Sequence, residues 1–94
     1  MTKESAIEKY LRETVEKHSG LCIKLSPFGL RGIPDRLIIL PGPVIVFAEL
    51  KKPKGGVVAR HQHHWRDRLT ALGCTHVFLH TREDVATLIR ELTE

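Results

Sequence analysis

No stretch of this 94-residue sequence comes near the roughly 20 consecutive apolar residues that carry a helix across a bilayer. The opening MTKESAIEKY lacks the apolar centre of a secretory signal, so a soluble protein of the cytoplasm is expected. Cysteine is scarce. The two present, Cys22 and Cys74, stand beside apolar residues in strand-like segments, which suits buried thiols rather than a disulfide framework. Internal repeats, low-complexity tracts and dividing linkers are also missing, so residues 1–94 are read as one domain. A domain this small buries a modest share of its surface, and self-association would add to its stability.

Charge is unevenly placed. The formal net charge is +4, yet residues 31–68 hold eight basic residues (Arg31, Arg36, Lys51, Lys52, Lys54, Arg60, Arg66, Arg68) against three acids, Asp35, Glu49 and Asp67. Residues 1–30 carry five basic and four acidic side chains, and residues 69–94 carry two and four. A basic middle between nearly neutral or acidic flanks points to a polyanionic partner such as nucleic acid.

Periodicity divides the chain into seven elements. Ile7, Leu11 and Val15 recur every four residues, which predicts a helix over 5–18 closed by Gly20. Leu21–Leu25 reads as a strand entering a loop that runs through Pro27, Gly29 and Gly32. Residues 35–40 and 44–50 are strongly β-forming, and Pro41-Gly42-Pro43 between them makes a hairpin turn. A loop with Pro53, Gly55 and Gly56 follows. Trp65, Leu69 and Leu72 then mark the apolar face of a helix ending at Gly73, with Trp65 as a core residue. Residues 75–80 form a short strand, and Thr81 caps a last helix through Val85, Leu88, Ile89 and Leu92. The order is α-β-β-β-α-β-α.

The hairpin brings chemistry together. With its turn centred near Gly42, opposed residues have numbers summing to about 83 to 85, which sets Asp35 across from Glu49. Glu49 and Lys51 are two apart and share a strand face, provided the strand persists through Lys51. Two carboxylates and an ammonium therefore converge. Neighbouring carboxylates repel unless a cation intervenes, and oxygen ligands on a rigid sheet suit Mg²⁺ or Mn²⁺.

In chain order, Pro34-Asp35 and then Glu49-Leu50-Lys51 resemble the signature of the PD-(D/E)xK nucleases. The resemblance is nearest to the VRR-NUC branch, in Arg31-Gly32-Ile33-Pro34-Asp35-Arg36, in Phe47-Ala48-Glu49-Leu50-Lys51, and in Gln62 early in the next helix. It spans nearly the whole chain. It implies a restriction-endonuclease-like α/β core, a mixed sheet flanked by helices, and Mg²⁺- or Mn²⁺-dependent hydrolysis of DNA phosphodiesters. Asp35 and Glu49 would bind the metal, while Lys51 would orient a water and offset developing negative charge. A first-helix glutamate would complete the metal site. Glu8 and Glu4 compete for that role; Glu8 is favoured, although Ser5-x-x-Glu8 also fits a capping box. Gln62 matches the active-site glutamine of the family. Lys24, Arg31, Arg36, Lys52, Lys54 and Arg60 are phosphate contacts as a group.

Stand-alone members of the branch imply a homodimer like a Holliday-junction resolvase, acting on branched DNA in repair. A contrasting reading is a non-catalytic nucleic-acid-binding module of the same fold, for which the intact Asp35, Glu49 and Lys51 would be superfluous. A third is a subunit used for protein contacts within a repair or packaging assembly. His61, His63 and His64 point in different directions on a helix and lack a cysteine pair at zinc spacing, so they are read as solvated or DNA-facing.

Overall fold

The computed structural model describes residues 3–25, 31–51 and 57–94, with side chains from residue 6 onward. Its elements are α1 (Lys3–Lys17), β1 (Leu21–Lys24), β2 (Arg36–Leu40), β3 (Val44–Leu50), α2 (Arg60–Ala71), β4 (Thr75–Leu79) and α3 (Arg82–Thr93). The α-β-β-β-α-β-α order is that expected. The sheet runs β1-β2-β3-β4; its first two pairings are antiparallel and β3 pairs with β4 in parallel. Among the described residues, no helix is long and apolar enough to cross a membrane.

The core lies on one face of this sheet. Ile7, Leu11 and Val15 of α1 and Val85, Leu88 and Ile89 of α3 are buried against Ile38, Leu40, Val46, Ala48 and Leu50. Each large aliphatic side chain so buried contributes about 1.5–3 kcal/mol. After α1, Ser19 takes a left-handed conformation (φ 64°) and Gly20 N–H donates to the Val15 carbonyl. A Cβ on Gly20 would stand 2.5 Å from the Ile39 carbonyl oxygen, so glycine lets the chain enter β1 pressed against β2. At the other end, Thr81 Oγ1 accepts from Asp84 N–H, and the Asp84 carboxylate accepts from Thr81 N–H. This is the capping box that starts α3.

Three expectations change. Ser5 lies inside α1 rather than at its start, and Glu8 turns its carboxylate to Arg12 instead of a capping role. The helix expected to show a face of Trp65, Leu69 and Leu72 has no buried residue, and Leu72 is 76% exposed. The reason is its position. α2 crosses the opposite face of the sheet near β4, where His63 and Arg66 pack on the Phe78 ring, so the side chains it turns toward the sheet are largely polar. Trp65 is accordingly half-buried rather than core, and its Nε1–H donates to the Arg31 carbonyl at 2.9 Å.

Candidate active site

β2 and β3 pair with Arg36 opposite Ala48 and Leu40 opposite Val44, so opposed residue numbers sum to 84. Continued by one residue, this register puts Asp35 across from Glu49. The Leu50 N–H points to Asp35 Oδ1 at 3.4 Å, which ties the carboxylate to the neighbouring strand. β3 is the strand flanked by β2 and β4, and its last residues, Ala48 to Leu50, are all buried. The sheet thus brings an acid to a sheltered end. The Lys51 N–H still donates to the Leu79 carbonyl at 2.9 Å. Pairing therefore persists past the end of β3, and Lys51 Nζ stands 4.0 Å from Glu49 Oε2.

Gln62 comes from the other layer. Its Nε2 donates to Glu49 Oε2 at 2.9 Å, while its Oε1 accepts the Ala59 N–H at 2.9 Å. One amide therefore closes the start of α2 and grips the buried acid. What holds α2 there is a close backbone approach: Gly32 (φ +84°) lies so near His61 that an added Cβ would fall 2.4 Å from the His61 carbonyl carbon. With the Trp65–Arg31 hydrogen bond, this fastens the loop before Asp35 to the first turns of α2.

Glu8 enters from α1. Its carboxylate accepts both bonds of a two-pronged contact from Arg12 Nη1, at 3.1 and 3.2 Å, and lies 3.9 Å from Arg36 Nε. Arg36 in turn donates Nη1–H to the Asp35 carbonyl at 3.0 Å and stands 3.8 Å from Asp35 Oδ1. Glu8 thus joins the strand carboxylates through a guanidinium. Arg12 was not singled out above, although its place four residues after Glu8 is the spacing at which helical ion pairs form.

The other expected residues separate. Arg36 departs from its expected place among exposed phosphate contacts: it is 8% exposed, because it alternates with Ile38 and Leu40 on the core face of β2. Lys24, Arg31 and Arg60 are exposed. Lys24 pairs with Arg36 across the sheet, Arg31 is anchored by Trp65, and Arg60 opens the helix that carries Gln62. Lys52 and Lys54, the loop glycines Gly55 and Gly56, and the side chain of Glu4 lie outside the described residues.

Among the described residues no group of three or more His, Cys, Asp and Glu could enclose a metal ion. What is present is a pair of carboxylates from adjacent strands, with Glu8 set behind Arg36. Such a donor set fits Mg²⁺ or Mn²⁺, which are commonly held by one or two carboxylates while substrate phosphates and waters fill the rest of the octahedron.

No family model matches the chain. It is 41% identical over 73 residues to "Putative nuclease p44" of Acyrthosiphon pisum secondary endosymbiont phage 1, a match covering 78% of this chain and 77% of the phage protein. It is also similar to a solved structure described as a VRR_NUC domain, with a TM-score of 0.89 and 37% sequence identity over 96% of this chain and 97% of the other.

Proposed function

The chain belongs to the VRR-NUC family of nucleases, and from that premise we propose that it is a metal-dependent DNA endonuclease whose preferred substrate is a branched junction. The observation that carries this reading is the convergence of Asp35, Glu49 and Lys51 at one end of β3, with Gln62 clamped to the acid. Asp35 and Glu49 would hold a divalent cation, whose chemistry there would be Lewis-acid polarisation of the phosphate and acidification of a water. Gln62 fixes the orientation of Glu49 by holding Oε2. Lys51 presents an ammonium beside Glu49, placed to orient the attacking water and to offset charge that builds on the phosphate. Lys24, Arg31 and Arg60 offer exposed cations around the site for neighbouring phosphates, which carry position rather than sequence.

The homodimer has separate support. Side chains of β1, β2 and β3 on the α2 side form apolar rows, Leu21-Ile39-Ile45 and Ile23-Leu37-Phe47, by register. Leu21, Ile23 and Ile45 are exposed. This face carries no charge in those rows, and a second copy offering the same face is an occupant that matches it in chemistry. Two sites related by a two-fold axis suit cleavage of two strands.

The test is incubation of the protein with synthetic four-way, flap and linear DNA in Mg²⁺ or Mn²⁺, beside Asp35→Asn and Lys51→Ala. Both variants are expected to lose about 100-fold or more in rate while retaining salt-sensitive binding. Cleavage that survives both substitutions would overturn the site. Binding without cleavage in either metal would favour the non-catalytic module.

A further inference from the structure

Arg36 is placed poorly for a residue that serves stability. Its side chain is nine-tenths buried, on a face otherwise built from Ile38, Leu40, Val46 and Ala48. Removing a guanidinium from water costs several kcal/mol unless its donors are well matched. Here they are not. Its distances to Asp35 Oδ1 and Glu8 Oε2 are 3.8 and 3.9 Å, beyond hydrogen-bonding reach. Nε, buried, has no hydrogen-bond partner among the described residues. The firm contact is the 3.0 Å bond to the Asp35 carbonyl.

Its position is informative where its satisfaction is not. Arg36 stands between carboxylates that come from different elements, Glu8 of α1 and Asp35 at the entry to β2. Glu8 has Arg12 on its other side. Among the described residues, Arg12, Arg36 and Lys51 thereby stand beside Glu8, Asp35 and Glu49.

A divalent cation approaching carboxylates already paired with cations gains less than one approaching bare carboxylates, and a guanidinium a few ångströms from a ligand opposes it directly. Phosphate oxygens arriving with nucleic acid restore the missing negative charge. Resting on the nuclease reading above, we propose that the Arg36 charge, set between Glu8 and Asp35, opposes metal in the empty site and makes metal loading depend on bound nucleic acid. The metal site then has an order of assembly, substrate with or before metal. The buried, under-satisfied guanidinium is what enforces it.

The experiment is calorimetric titration of the whole protein with Mn²⁺ in the absence of nucleic acid, with the Mn²⁺-induced change in thermal midpoint followed in parallel. Arg36→Met, which removes charge but keeps length on an apolar face, should bind Mn²⁺ about tenfold more tightly than the parent. Its midpoint should also rise further on adding Mn²⁺. Arg36→Lys, keeping the charge, should stay within about twofold of the parent. Arg12→Gln, on a side chain 42% exposed, keeps the test open should Arg36→Met not fold; it should tighten Mn²⁺ in the same direction by about threefold. Equal or weaker Mn²⁺ binding in these neutralised variants, at a site that Asp35→Asn abolishes, overturns the role of Arg36 and leaves the nuclease reading standing. Mn²⁺ binding indifferent to Asp35→Asn overturns both.

Discussion

Glu49 is 7% exposed, and a carboxylate so placed is tolerated because Gln62 donates to it and Lys51 stands beside it. Burial also acts on His76, whose pairing partner on β3 is Phe47 and whose ring lies 4.9 Å from that of Phe78. Loss of water holds the imidazole below its ordinary pKa, and the positive charge of Arg66 adds to the effect. Its Nδ1 is buried without a hydrogen-bond partner among the described residues. The folded state therefore favours neutral His76. The stability this contributes is complete above the unfolded value of about 6.5 and is lost as pH falls from there through the lowered folded value. Thermal midpoints measured between about pH 7.5 and 5 should decline more steeply for the parent than for His76→Gln; parallel curves would show that His76 is not linked to folding.

At the level of elements, the site depends on two layers meeting. The strands carry Asp35, Glu49 and Lys51, but Gln62 arrives from α2, whose first turn is pressed against the Gly32 loop. Gly32 needs both its positive φ and its missing Cβ. Gly32→Ala should destabilise by more than about 1 kcal/mol and should also lower cleavage, since α2 must retreat and carry Gln62 away from Glu49. Gly73 is the control: it has φ +91° with nothing within 4 Å of an added Cβ, so Gly73→Ala carries backbone strain alone. Denaturant unfolding of both variants, beside their cleavage rates, checks this; equal loss of activity in the two would remove the Gly32 contact from the account.

For the whole molecule, helices cover the sheet unequally. α1 and α3 seal one face with the core, whereas α2 packs on β4 and contributes no buried residue. The apolar rows on β1, β2 and β3 lie beyond it. Sedimentation at micromolar concentration is expected to give a dimer for the parent and a monomer for Ile45→Lys, whose 50% exposed parent side chain can be replaced without disturbing the core. A monomeric parent would end that part of the proposal.

Much of this was legible in the residues themselves. The seven elements follow from local rules: four-residue spacing in α1, β-branched runs about Pro41-Gly42-Pro43, and the Thr81 cap. Hairpin register is arithmetic once the turn is located, so Asp35 and Glu49 could be opposed from the sequence, and a two-residue period set Lys51 beside Glu49. Other features were not local. That Arg36 is buried follows from which face of β2 meets α1, that Trp65 clamps a loop follows from where α2 lands, and that Glu8 reaches the strands follows from packing across the sheet. Spacing along the chain fixes which side chains share a face. Which face is covered, by what, and which charges are forced together out of water were decided only by the tertiary structure, because those depend on contacts between residues far apart in the sequence.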